Sequence, residues 1–584
     1  MTSSPDGHSG ARSGLSWPAR VLLAALFFGS LAIVFGGALT AHVRRSSNPA
    51  YFNNDVRGQI YEFLRYEDAS AFAGDYPGDY FLACRFPIAF RLLFTLGGKL
   101  HGVSFLSRFL PYGLLLVTLL CVGFVAFRLG GAAAAWVALA LCLGSAIYLS
   151  CIVGAVPRAF GYPVVAGTMV ALLRGSNRML AALAILGTAF YPPGGAIAAI
   201  CLGLLLFFPL RADRGDASEW SLAKRVGILA AVGLACGLVT LPMAVGARPF
   251  GPLITRSNAP EFPEAGVGGR YHSSDRPPFR GFLRTGVRDL EDSIAGAGAP
   301  LVPSLRRWSA GGSPWRLRAI LFGALVISAV GWLRLAARRP EARRLLLVGV
   351  AGAVGYLLAR VGYPYFYLPQ RFSLYTLPPL AAVVLGTGAL GWIPQGRPRV
   401  WRSLVGALPG ILVLVLLGAH GSSDEGLDIV AGPSDPPYAF VHGLPPGALV
   451  AGWPSGVVDN IPWVSRRRSL VNFEIHQAQH AAFTLEMRRR ASAAIQAFYS
   501  TDPVPLRRLR DQFGVTHFLV DLDMARRRDA TYFAPFDREI EALRARADGK
   551  DLEVLQLLDT AGVYRDERVA ILDLSRIGEP NKIR

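Results

Sequence analysis

Charge is what this chain is short of. Only 17% of its 584 residues are charged, against about 25% in an ordinary soluble domain. Hydrophobic residues make up 52%, and the mean hydropathy is +0.37. Charge this scarce excludes a disordered chain, a coiled coil or a collagen, and so much Leu, Ala, Val and Phe excludes a string of soluble domains. Cysteine is scarce too. Cys84, Cys121, Cys142, Cys151, Cys201 and Cys236 are scattered, five of them in apolar runs, with neither zinc spacing nor a disulfide framework. No repeat of about 20–50 residues marks a solenoid. What is left is a polytopic α-helical membrane protein.

The charge that is present is unevenly placed. From Gly421 onward the chain holds 21 basic and 23 acidic residues, whereas residues 1–420 hold 39 and 17. The excess behind the overall +20 therefore belongs to the apolar part, where it sets topology and meets anionic membrane lipids. No nucleic-acid partner is expected from that distribution.

A span needs roughly 20 apolar residues. Runs at 21–41, 109–127, 132–152, 159–173, 179–190, 193–210, 226–246, 319–333, 345–359, 373–392 and 403–419 predict about eleven transmembrane helices. The first ends in Ala38-Leu39-Thr40-Ala41, where Leu39 is too bulky for a signal cleavage site, so it reads as an uncleaved helix. With the N-terminus cytoplasmic, every short internal connection is basic: Arg128, then Arg174 and Arg178, then Arg211 to Arg225, five arginines from Arg334 to Arg344, and Arg397 to Arg402. The odd count puts loops 43–108 and 247–316, and the tail 421–584, outside the cytoplasmic (inner) membrane. The predicted division is a transmembrane domain, 1–420, and an extracytoplasmic α/β domain, 421–584. In the tail, strands are expected near 448–452, 469–473, 516–520 and 569–574, and helices over 477–499 and 504–513. Its near-neutral charge and lack of cysteine predict a separable unit.

No Asp, Glu, Lys, Arg or His lies inside the spans. A transporter or pump usually needs such groups at membrane depth, so chemistry moves to the external face. The densest candidate stretch there is Tyr51-Phe52-Asn53-Asn54-Asp55-Val56-Arg57, followed by Glu62, Arg65, Glu67, Asp68, Asp75 and Asp79. Asp55 is suited to act as a general base on a hydroxyl, or to ligate a divalent metal. The bland alternative is a helix near 56–67 lying on the membrane with solvated charges. Arg371 closes the stiff turn Tyr363-Pro364-Tyr365-Phe366-Tyr367-Leu368-Pro369-Gln370. Its planar fork matches a phosphate, and equally a lipid headgroup. Arg158, in Val156-Pro157-Arg158, carries the same two readings. His476 and His480 give His-x-x-x-His on an expected helix, without a third ligand.

One span, a long external loop with an early acid, many further spans, and a Tyr/Pro-rich turn into Pro369-Gln370-Arg371-Phe372 resemble the GT-C superfamily. These are integral-membrane glycosyltransferases that use polyprenyl-phosphate-linked sugars, the dolichyl-phosphate-mannose mannosyltransferases among them. Asn53-Asn54-Asp55 resembles the family's first-loop acidic motif, and Arg371 its late-loop basic position. The resemblance implies an inverting, hexosyltransferase-type enzyme of the cell envelope that moves a sugar onto an unnamed acceptor at the extracytoplasmic face. Asp55 is then the catalytic base, and Arg57, Arg158 and Arg371 hold the donor phosphate. Tyr51, Tyr363 and Tyr365 face the sugar or the prenyl chain, and Asp75, Asp79 and Gln370 are further substrate-binding candidates. One departure stands: many members pair two acids at the first motif, whereas Asn54-Asp55 supplies one, so a divalent metal is compatible but not required. A lipid-linked glycan flippase or transporter, and a scaffold recruiting a partner through the tail, are the alternatives.

Overall fold

The computed structural model describes residues 17–208, 220–266, 268–270, 314–362, 368–394, 396–417, 424–527, 529–547 and 551–578. A helix stands in each of the eleven expected apolar runs. Among the described residues, five helices are long and apolar enough to cross a membrane: Val21–Ser47, Val103–Gly144, Leu222–Gly246, Pro340–Val361 and Arg371–Trp392. The run Val103–Gly144 breaks at Gly131, whose φ of 80° no other residue adopts cheaply, so two helices meet where the runs 109–127 and 132–152 divide. Gly161–Arg174 and Asn177–Phe190 have 14 residues each. At 1.5 Å per residue each reaches about 21 Å, short of a hydrocarbon core of about 30 Å.

Burial sorts the helices. In Leu222–Gly246 only 6% of the apolar window is buried, and Leu234, Leu238 and Leu241 face outward, as lipid contact requires. In Arg371–Trp392 the share is 72%. That helix packs at the centre of the bundle, with Tyr375 and Thr376 fully buried.

Loop one is not a surface helix. Residues 56–67 form a single turn, Val56–Gln59, and a 3-10 segment, Tyr61–Tyr66, with Val56, Arg57 and Glu62 buried. Gly58 in that turn lies directly on Glu474 of the tail: a Cβ there would meet the Glu474 carbonyl oxygen at 2.8 Å. The expectation of solvated charges on a membrane-lying helix is thus corrected by a contact some 400 residues distant in sequence.

Residues 424–578 carry two sheets. Strand β1 (Tyr51–Phe52) of loop one pairs antiparallel with β2 (Ile429–Val430). A five-stranded mixed sheet runs β4 (Arg468–Ser469), β3 (Leu449–Gly452), β5 (His517–Asp521), β7 (Val569–Asp573), β6 (Gly562–Arg565). Strand β3 lies parallel to β4 and β5, and β7 antiparallel to β5 and β6. Helices Ala481–Phe498 and Val504–Phe513 fall where expected. Residues 469–473 leave the sheet after Ser469, because Leu470 to Ile475 turn toward loop one. The tail and loop one share one continuous apolar core, in which Tyr80 stacks on Phe483 with ring centroids 3.6 Å apart.

Candidate functional site

A cavity of about 530 Å³ opens where loop one, the bundle and the tail converge. Its polar lining is Gln59 and Arg85 from loop one, Arg158, Arg371, and Gln479 and His480 from the tail. Pro192, Pro193, Ala196, Ile200, Met243 and Leu358 from the bundle form an apolar wall. Cationic polar wall and hydrocarbon wall therefore face one space.

Each cation arrives on a rigid support. Arg371 opens the buried helix Arg371–Thr387 and stands over the Tyr191 ring, 5.9 Å from its centroid. Arg158 sits in the 3-10 turn Pro157–Phe160, and its guanidinium pairs with the Asp55 carboxylate, both side chains about one-fifth exposed. Arg85 follows the helix Tyr76–Cys84; it donates to the Gln479 side-chain oxygen and lies 5.7 Å from the Phe81 ring centroid. His480 shares a 2.9 Å hydrogen bond with the Tyr80 hydroxyl. Burial, then Arg85, lower its pKa to about 4, so the ring is neutral.

The other sequence candidates lie elsewhere. Arg57 is nearly buried and donates to the side chains of Asn54, Asn460 at 2.9 Å and Glu474 at 3.3 Å, with Asp459 at 3.8 Å. Arg270 approaches the second oxygen of Glu474 at 3.8 Å. Loop one is therefore clamped to the tail by a buried charge cluster. Asp75 is buried, accepts from the Tyr61 hydroxyl at 3.1 Å, and is pushed up to about 6 mainly by burial, with Arg65 opposing. Asp79 pairs with Arg65 at 2.5 Å. Tyr51 lies in β1 under Arg45, 5.0 Å from the guanidinium carbon. Gln370 precedes the helix of Arg371, and its carbonyl accepts from Ser373 and Leu374. Tyr363 and Tyr365 lie outside the described residues.

His476 and His480 do not share a helix face, since the helix begins only at Ala481. His476 is buried against Phe533 and Phe536, which burial matches by driving its pKa down to about 3. Among the described residues no group of three or more His, Cys, Asp or Glu side chains stands together to hold a metal ion. Asp55 pairs with the Arg158 guanidinium, and the Asp428 carboxylate reaches the same neighbourhood through Asn53.

Sequence reasoning missed Gln59, Arg85 and Gln479, and weighed His480 only as half of a metal-spaced pair with His476. Arg85 had a legible signal, an arginine ahead of Phe86-Pro87 in the loop 43–108. The others read as ordinary polar residues.

No family model matches the sequence, and no curated protein matches it. Among solved structures, the oligosaccharyltransferase of Archaeoglobus fulgidus in complex with zinc and sulfate is similar over 93% of this chain and 71% of its own, at 12% identity and a TM-score of 0.46. The AglB oligosaccharyltransferase of the same organism, with an inhibitory peptide and a dolichol-phosphate, gives 97% and 76%, 13% identity and 0.45. ArnT of Cupriavidus metallidurans bound to undecaprenyl phosphate gives 96% and 100%, 14% and 0.45. At this level the likeness fixes neither activity nor substrate.

Proposed function

We propose that this chain is an integral-membrane glycosyltransferase. It moves a hexosyl-type sugar from a polyprenyl-phosphate donor to an acceptor hydroxyl on the extracytoplasmic face, with inversion. The observation that carries the reading is the cavity, where Arg85, Arg158 and Arg371 face an apolar wall and Asp55 is held at Arg158. A polyprenyl phosphate is an anion on a hydrocarbon chain, and its binding needs both surfaces. The topology in this reading is eleven spans with the N-terminus cytoplasmic and the tail external, supported by the basic internal connections.

The chemistry follows from charge. The donor phosphate enters among the guanidiniums and competes with Asp55 for Arg158, which frees the carboxylate as a base. The acceptor oxygen attacks the anomeric carbon from the side opposite the phosphate. Its new bond forms as the bond to the phosphate oxygen breaks, and the phosphate leaves with the electron pair while Asp55 takes the hydroxyl proton. Arginines fixed on helix ends stabilise the charge that develops on the leaving phosphate, without reorganising. Arg57 in this scheme clamps loop one rather than touching donor.

The test uses the full-length protein in proteoliposomes with a panel of labelled polyprenyl-phosphate hexoses. Label should leave the donor lipid with the parental protein, and undecaprenyl phosphate should compete. Failure to bind or turn over any member of the panel overturns the reading.

A further inference from the structure

We infer that Asn53 is the positioning residue of the site: its carboxamide sets the Asp55–Arg158 pair in place and ties it to the segment that leads into the tail. The inference rests on the role proposed for Asp55.

Asn53 is 2% exposed, and both ends of its amide are used. The oxygen accepts from the backbone N–H of Asp55 at 3.1 Å and from an Arg158 guanidinium nitrogen at 3.4 Å. The nitrogen donates to the carbonyl of Gly426 at 2.9 Å and to the Asp428 carboxylate at 3.4 Å. A backbone donor on one side and a backbone carbonyl on the other leave one orientation for the amide. The side chain also seats the turn that carries Arg158. Gly154 has φ of 87°, and a Cβ on it would lie 3.0 Å from the Asn53 Cβ. Three segments distant in sequence thus converge on one carboxamide, and two of them supply the base and its cationic partner.

No common substitute does both jobs. Aspartate offers acceptors to Asp55 and Arg158 but opposes the Gly426 carbonyl, and adds a like charge beside Asp55. Alanine removes both ends. A residue that only packs would affect the amount of folded protein; a residue that aims the base affects turnover and its pH dependence.

The experiment measures donor turnover by Asn53→Ala and Asn53→Asp in proteoliposomes, with polyprenyl-phosphate hexose as probe, on protein whose melt matches the parental one. Asn53→Ala should lower kcat by about ten- to a hundredfold with donor KM within about threefold. Asn53→Asp should in addition move the acid limb of the pH–rate profile upward by about one unit, as a like charge disfavours ionised Asp55. Asp55→Asn run in parallel separates the two claims. If it abolishes turnover while folded Asn53→Ala and Asn53→Asp keep the parental kcat and pH profile, the positioning role falls and the base stands. If Asp55→Asn turns over at the parental rate, the proposed function itself fails.

Discussion

Two charged groups two residues apart in loop one meet opposite fates. Asp55 makes a single ion pair with Arg158, which lines the cavity, and the two side chains are each about one-fifth exposed. Arg57 is sealed between Asn54, Asn460, Asp459 and Glu474, under a tenth exposed. An ion pair with one member on a cavity wall can be exchanged for a ligand anion that takes the carboxylate's place. A sealed cluster cannot be opened without stranding charge, and removing one partner is costly. The same stretch of chain therefore holds a replaceable contact and a permanent one, and the two residues just ahead of Asp55 divide between them, Asn53 bonding Asp55 and Arg158 and Asn54 bonding Arg57 and Glu474.

The contrast predicts effects of different kind. The largest is expected from Asp55→Asn, which keeps size and hydrogen bonding and removes basicity: donor turnover should fall by about two to four orders of magnitude with the melt unchanged. Turnover at the parental rate would move the base elsewhere. Arg57→Met should do the reverse. It strands Glu474 and Asp459 and should destabilise by about 3–5 kcal/mol, read as a lower denaturation midpoint in detergent, while the folded fraction retains its kcat. An unchanged midpoint would show that the cluster is not what holds loop one to the tail. Arg371→Lys keeps the charge but loses the planar fork, and kcat/KM for the donor should drop about ten- to a hundredfold; an equal value would remove bidentate phosphate contact from the scheme.

The smallest effect concerns pH. Burial, with Glu474 adding and Arg57 opposing, pushes Asp459 up to about 7 from an ordinary value of 3.8. The folded chain holds this proton more tightly than the unfolded one. Its contribution is therefore complete below the unfolded pKa, and is lost as pH rises through the folded pKa near 7. Asp75, raised to about 6, acts in the same direction. The Tm should fall between pH 5 and 8, and Asp459→Asn should flatten that fall by roughly 2–4 °C. Parallel curves would place the titration in another group.

How much of this was legible in the sequence depends on how local the cause is. Apolar runs mark the helices because a lipid-facing or bundle-facing helix needs nothing but length and hydropathy, and the break at Gly131 falls between two of them. Asp55, Arg158 and Arg371 stood out as ionisable groups just outside apolar runs, and the structure gathers their neighbourhoods round one cavity. The charge cluster was not legible. Arg57, Asp459 and Glu474 each look like solvated charge, and only the close approach of Gly58 to Glu474 turns them into a clamp. The same contact falls inside the helix expected at 56–67. His476 and His480 misled for a related reason: their spacing promised one helix face, but the backbone before Ala481 pairs instead with the loop 247–316, where the Ile254 amide donates to the Gln479 carbonyl at 2.8 Å.

The short ribbon of β1 and β2 bears on how the molecule is made. Phe52 pairs with Ile429, Asn53 waits 373 residues for Gly426, and Asn54 waits 420 for Glu474. On a ribosome that adds about 5–20 residues each second, loop one is synthesised well before any of these partners exists. The turn bearing Asp55 stays unset until the whole helical bundle has been inserted and the chain has returned to the same face. In the proposed scheme a nascent or truncated chain that stops short of Gly426 lacks the contacts that set Asp55 in place.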